Sequence, residues 1–279
     1  MLATLREVPV PTFRWYTPRE TALALGNGQP LTGVDMAACQ ARGIAVYRRS
    51  SGGTAVLVDG AAFSLDLALP SAHPLATSDV TLAYRWVGEL MAQAMRNLGV
   101  AEARAIPTAE ARALAPVAPD DPLRLACYGT LSPWEVVVPP DPAAAGEGRF
   151  WGEAGGMGVT AGRVSNTPRK LVGLCQVRRR GGALFQIGFY RRFDAQTLAT
   201  LLAIPADARQ LLATRLTDAT AGLRASTPRR RPHTAEQIMR AVEQALTQYV
   251  GGEVADSAWT DAELATADRL ERERFGRLG

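Results

Sequence analysis

The run KLVGLCQVRRRGGALFQIGFYRRF, residues 170–193, reads as a β-hairpin. Two segments rich in Val, Leu, Ile and Phe flank Gly181-Gly182, and glycine relaxes the backbone limits of a tight turn. The run opens on Lys170, the only lysine in the chain; the other thirty Lys/Arg positions are all arginine. Arginine is effectively never deprotonated, whereas lysine is a compact ammonium that responds to burial and nearby charge. Lysine alone can therefore act as a neutral base, a proton relay or a single-point donor to a reacting carbonyl. Arg169 and Arg178–Arg180 are close in sequence, and such cations favour the neutral amine. The plainer alternative is one stray lysine in an arginine-biased composition.

Outward from the hairpin, 279 residues allow one large domain or two smaller ones. Hydrophobic residues at 47% against 21% charged suit a soluble globular chain with a sizeable core. The net charge is +4, two short arginine runs stand at 178–180 and 229–231, and aromatics make up 6%. That pattern argues against nucleic-acid binding, while a basic surface could meet an acidic protein or a phosphate. No apolar run is long enough for a membrane span, and MLATLREVPVPTFRWY does not resemble a signal peptide. Cys39, Cys127 and Cys175 show no CxxC spacing, and His73 and His233 are the only histidines, so no zinc site is expected. The expected compartment is the cytoplasm.

TFRWYTPRETALALG predicts two short strands broken at Pro18, and VDMAACQARG a short helix ended by Gly43. GIAVYRR, TAVLVDG and AFSLDLALP predict three strands. A helix opens at Ser78, with Leu82, Trp86, Leu90, Met95 and Leu98 at near-helical spacing, and stops at Gly99. LRLACY and PWEVVV predict strands, and the Pro-, Gly- and Ala-rich residues 139–168 a long surface insertion. The last third is helical, with capping boxes Thr234/Gln237 and Thr260/Glu263. The prediction is an α+β fold with a central mixed sheet flanked by helices. The expected organisation is one main domain over residues 1–222 and a helical extension, 223–279, packed on it.

Three segments could carry chemistry. YRRSSGGTAV, residues 47–56, could cradle an anion or carboxylate on its backbone N–H groups with Arg49 as a clamp, or be a simple turn. RLACYGTLSPWEVVV places Cys127 as either a small core residue or a nucleophile in need of a cation. The Lys170 stretch is the third; Cys175 within it reads as core.

In order along the chain, PTFRWYTPRETALALGNGQP, VDMAACQARGIAVYRRSSGGTAVLVDG and RKLVGLCQVRRRGGALFQIG resemble the lipoate–protein ligase and octanoyltransferase family, which shares its catalytic-domain fold with biotin–protein ligases. The resemblance runs from about Pro11 to TDAELATADRLERERFG. It implies that Lys170 touches the acyl carbonyl and its activating group. It also implies that Arg49, Ser51, Gly52, Gly53, Thr54 and Gly173 line the substrate pocket. Cys127 and Glu135 reproduce the eight-residue offset of the cysteine-dependent octanoyltransferases. The implied reaction passes octanoyl or lipoyl through a Cys127 thioester, with no cofactor. The donor is an acyl carrier protein; the acceptor is a lysine on a lipoyl domain of a 2-oxoacid dehydrogenase or on glycine-cleavage H protein. The alternatives are an ATP- and Mg-dependent ligase using free lipoate or octanoate, and a non-catalytic acyl-binding paralogue. The chain departs from the family at Thr54, where glycine or arginine is usual, and at Val58 and Ile187, where histidine is frequent. The family's opening helix has no counterpart before PTFRWY. A weaker expectation is that Arg229–Arg231 dock an acidic acceptor.

Overall fold

The computed structural model describes residues 1–7, 9–114, 118–141, 148–151, 157–160, 167–227 and 232–278. The strands are β1 (Thr12–Tyr16), β2 (Ala22–Leu25), β3 (Ala45–Arg48), β4 (Val56–Val58), β5 (Ala62–Pro70), β6 (Arg104–Ala105), β7 (Val136–Val138), β8 (Gly148–Trp151), β9 (Met157–Thr160), β10 (Arg169–Arg179) and β11 (Gly182–Tyr190). The helices are α1 (Met36–Ala41), α2 (Val80–Asn97), α3 (Thr108–Ala113), α4 (Ala195–Leu201), α5 (Arg209–Ala219), α6 (Leu223–Ser226), α7 (Ala235–Val250) and α8 (Asp261–Leu270).

The hairpin forms as predicted and lies at the centre of a six-stranded sheet, order β1-β5-β11-β10-β7-β6. Every pair in that sheet is antiparallel. The mixed pairing sits in a second sheet, β3-β2-β4, where β2 runs parallel to β3 and antiparallel to β4. Alternation along the strands splits the large sheet into two faces. Leu65, Leu67, Leu69, Phe185, Ile187 and Phe189 join the main core with α2 and α7. Gly173, Cys175, Gln186, Gly188, Ser64 and Asp66 take the alternate positions, on the opposite face. The small sheet has its own core, formed with α4 and α5.

Leu90, Met91 and Met95 of α2 and Ile238, Val242 and Leu246 of α7 are fully or almost fully buried in one cluster. The two capping boxes predicted from sequence start α7 and α8. Beyond α8 the chain reaches β3, where Leu278 N–H donates to the Val46 carbonyl. The insertion contains the β8–β9 pair. Residues 229–231 lie outside the described residues. Among the described residues no helix is long and apolar enough to cross a membrane.

Three local expectations change. α2 is capped by Asp79, whose Oδ1 accepts from Leu82 N–H, rather than by Ser78. Leu82 itself is exposed. LRLACY is not a strand but two 3₁₀ turns, Pro122–Leu125 and Cys127–Gly129. Asp121 caps the first through Leu123 N–H and is held by Arg215 on α5. Capping and proline at the turn's start outweigh the apolar alternation of LRLACY.

Candidate active site

Three segments predicted to carry chemistry converge on the non-helical face of the large sheet. The first is the loop joining β3 to β4. Gly53 adopts φ +89°, a conformation that favours glycine. A side chain on Gly26 would collide with the Gly53 carbonyl, so the GNG turn at 26–28 can close over the loop only because it begins on glycine. Asn27 N–H donates to the Ser51 carbonyl at 2.8 Å and fixes the approach.

Arg49 faces inward. Its guanidinium donates to the carbonyls of Ala24 (3.0 Å), Gly52 (2.8 Å) and Thr54 (3.0 Å) and to Ser51 Oγ (3.1 Å). Arg48 donates to the carbonyls of Gly26, Asn27 and Gln29. Both arginines are engaged in holding backbone, and the charged clamp expected of Arg49 is turned into the loop. Ser51 is 1% exposed.

The second segment carries Cys127, at the start of its 3₁₀ turn and partly exposed. Backbone bonds pin it: Cys127 N–H to the Ala55 carbonyl (2.9 Å) and Ala55 N–H to the Leu125 carbonyl (3.0 Å). The buried Gln29 side chain adds a bond to the Leu125 carbonyl at 3.1 Å. A Cβ on Gly53 would stand 3.6 Å from Cys127 Sγ, so loop and thiol face each other. Tyr128 packs against Tyr190 and Phe193 and donates its hydroxyl to the Gly188 carbonyl. A Cβ on Gly173 would lie only 3.3 Å from the Tyr128 ring and hydroxyl, so this glycine leaves room for the ring. Thr54 contributes a carbonyl to Arg49.

The third segment carries Lys170. The β7–β10 register shifts between Lys170 and Val172, a bulge of the kind that re-aims side chains. Lys170 is 1% exposed, and its Nζ donates to the Cys127 carbonyl at 2.7 Å. The same Nζ lies 2.9 and 2.8 Å from the two Glu135 carboxylate oxygens. Ser132 N–H also donates to Glu135, at 2.7 Å. Burial pushes the Glu135 carboxyl upward, opposed by the Lys170 charge. The turn before Glu135 places Trp134 at φ +69°, an uncommon conformation outside glycine. A side chain on Gly88 of α2 would collide with the Trp134 carbonyl, so that glycine makes room for the turn.

The charge beside Lys170 is thus a carboxylate and not the expected arginines. Arg169 pairs with Asp141, and Arg178 donates to the Thr77 carbonyl at 2.6 Å near the far end of β10. Cys175, read as core, instead lies at the site edge: its thiol donates to Ser51 Oγ at 3.2 Å, and burial pushes its pKa up to about 11. Ile187 points into the main core, away from Cys175. Sequence reasoning tied Glu135 to Cys127 by spacing but not to Lys170; a glutamate directly before a Val-Val-Val strand was the available signal. Tyr128, Gly26 and Arg48 carried no comparable signal.

Residues 2–247 match the model of the lipoyl protein ligase A/B catalytic domain. The chain belongs to that family. It is 28% identical over 266 residues to an octanoyltransferase LipM of Kyrpidia tusciae, covering 95% of this chain and 84% of the relative. It is 26% identical over 270 residues to the LipM of Brevibacillus brevis, with the same coverage. Among solved structures, a bipartite lipoate protein ligase of Thermoplasma acidophilum superposes with a TM-score of 0.67 at 17% identity, over 94% of this chain and 80% of that one. A lipoate–protein ligase A bound with ATP gives a TM-score of 0.64 at 17% identity, over 97% and 86%. These structural likenesses support the α+β fold.

Proposed function

We propose that this chain is an octanoyltransferase of protein lipoylation that works through a thioester on Cys127. The observation that carries the reading is the pinned, partly exposed Cys127 thiol facing the Ser51–Gly53 loop, with Lys170 bonded to its carbonyl. The likeness to LipM octanoyltransferases over 95% of the chain supports the same reaction class.

Cys127 sulfur, as thiolate, attacks the carbonyl of an acyl carrier-protein thioester. The new C–S bond forms, the old one breaks, and the carrier leaves as thiolate and takes up a proton. A lysine amine of a lipoyl domain or of glycine-cleavage H protein then attacks the enzyme thioester. An amide forms, and the amine proton passes to the departing Cys127 sulfur. Lys170 is a positioning residue: Glu135 holds its ammonium, and the ammonium holds the carbonyl of the nucleophile's own residue. Fixing the turn in advance lowers the cost of reaching the attack geometry. The chemistry needs no cofactor, and carrier-protein thioesters and reduced thiols fit the cytoplasm.

An ATP- and Mg-dependent ligase needs cationic or N–H groups for a phosphate. Arg48 and Arg49 donate instead to backbone carbonyls, which favours the transferase. The test is acyl transfer from octanoyl-carrier protein to a lipoyl domain without ATP. Transfer supports the transferase; transfer only with free lipoate, ATP and Mg would replace it with the ligase.

A further inference from the structure

The proposed reaction ends when a lysine amine of an acceptor attacks the Cys127 thioester. The chain has one lysine of its own, and the fold sets it beside Cys127. Lys170 Nζ lies 2.7 Å from the Cys127 carbonyl oxygen. Covalent geometry keeps a cysteine sulfur within about 5 Å of its own carbonyl oxygen. An acyl group carried on Cys127 is therefore within reach of the Lys170 side chain. Attack from there is the transfer reaction turned inward: the C–N bond forms, the C–S bond breaks, and the amine proton passes to the departing Cys127 sulfur. The product would be a stable octanoyl amide on Lys170, and the acyl group would be lost to any acceptor.

Only a neutral amine can attack. Lys170 and Glu135 are both almost fully enclosed, and a buried lysine without a counter-ion favours its neutral form. What opposes this is Glu135. An ammonium has three N–H donors and no lone pair. Three oxygens meet those donors: the Cys127 carbonyl and both oxygens of the Glu135 carboxylate. The Tyr128 ring, its centroid 5.3 Å from Nζ, also favours the cation. Glu135 in turn accepts from Ser132 N–H at 2.7 Å and Leu174 N–H at 3.4 Å, contacts that favour its ionised form and aim it at Lys170. Among the described residues it is the only carboxylate paired with Lys170. Elsewhere the chain offers the thioester no lysine, because its other basic positions are arginines, whose guanidinium stays charged.

We infer that Glu135 protects the enzyme from acylating itself: it holds Lys170 as an ammonium, so that the octanoyl group on Cys127 is kept for the lysine of an acceptor. This rests on the reading of Cys127 as the acyl-carrying residue. Glu135 acts through Lys170 and touches no substrate. Its role differs from packing, because its loss should create a new covalent product and not merely a slower or less stable enzyme.

The test incubates the full chain with octanoyl-carrier protein and no acceptor, then follows hydroxylamine-resistant octanoyl by mass spectrometry and maps it by peptide digestion. The wild type should carry only the hydroxylamine-labile group. Glu135→Gln should form the amide on Lys170 at least about tenfold faster than wild type, because the buried lysine has lost its counter-ion. Adding Lys170→Met to Glu135→Gln should abolish the amide. Glu135→Asp, which keeps the charge but shortens its reach, should lie between wild type and Glu135→Gln. A folded Glu135→Gln that carries only labile octanoyl, or a wild type that forms the Lys170 amide as fast, would overturn the inference and leave the transferase standing. If Glu135→Gln fails to fold or takes up no octanoyl, Glu135→Asp decides, and no excess of amide over wild type would overturn the inference. No thioester on the wild type would remove the transferase reading and this inference with it.

Discussion

Cys127 and Cys175 border the same small loop, yet their surroundings differ. Cys175 lies within a strand, its thiol bonded to Ser51 and the Gln186 carbonyl and its pKa pushed up to about 11 by burial. Cys127 stands on a 3₁₀ turn, its backbone tied to Ala55 and Lys170 and its side chain facing Gly53. The turn presents one sulfur to the Ser51–Gly53 loop, and the strand ties the other to Ser51 and Gln186; both residues are partly exposed. On the proposed reading, position in the fold and not residue type gives the two thiols different roles.

The largest effect should follow loss of the presented sulfur. Cys127→Ala should lower acyl transfer by about a thousandfold or more, read as single-turnover rate. Residual transfer within tenfold of wild type would break the comparison. Next comes the support beneath it. Lys170→Met leaves the Glu135 carboxylate buried and unpaired, and should cost about 3–5 kcal/mol in urea unfolding. Adding Glu135→Leu should recover most of that stability without restoring the transfer rate. Recovery of both would reduce Lys170 to a packing role.

Asp66 sharpens the comparison through pH. Its folded pKa of about 6 lies above the ordinary 3.8, so the folded state binds its proton more tightly. Stability from this group is complete below the unfolded value, falls between about 4 and 6, and stays reduced above that. Asp66→Asn should therefore gain roughly 1–3 kcal/mol over wild type between pH 4 and pH 7, measured by thermal unfolding across pH. A constant gap would contradict the raised pKa. The smallest effect is expected at the strand-bound sulfur: Cys175→Ala should keep transfer within about threefold.

The hairpin, α2 and both capping boxes were legible because periodicity and caps are local signals. LRLACY misled because its 3₁₀ turns keep an apolar alternation, while what bends the chain is Asp121 bonded to Arg215 ninety-odd residues away. Lys170 was legible as an oddity, but its partner was not. Sequence adjacency suggested arginines, yet Arg178 is eight residues along an extended strand, roughly 26 Å away. Arg49 could not be read as inward-facing, because its acceptors are carbonyls brought together only by the folded loop and β2.

The measurement closest to the central claim is intact-protein mass spectrometry after incubation with octanoyl-carrier protein and no ATP, on wild type, Cys127→Ala and Cys175→Ala. One octanoyl group, removed by hydroxylamine, is expected on wild type and Cys175→Ala and absent from Cys127→Ala. An adduct that persists in Cys127→Ala and disappears in Cys175→Ala would contradict the assignment.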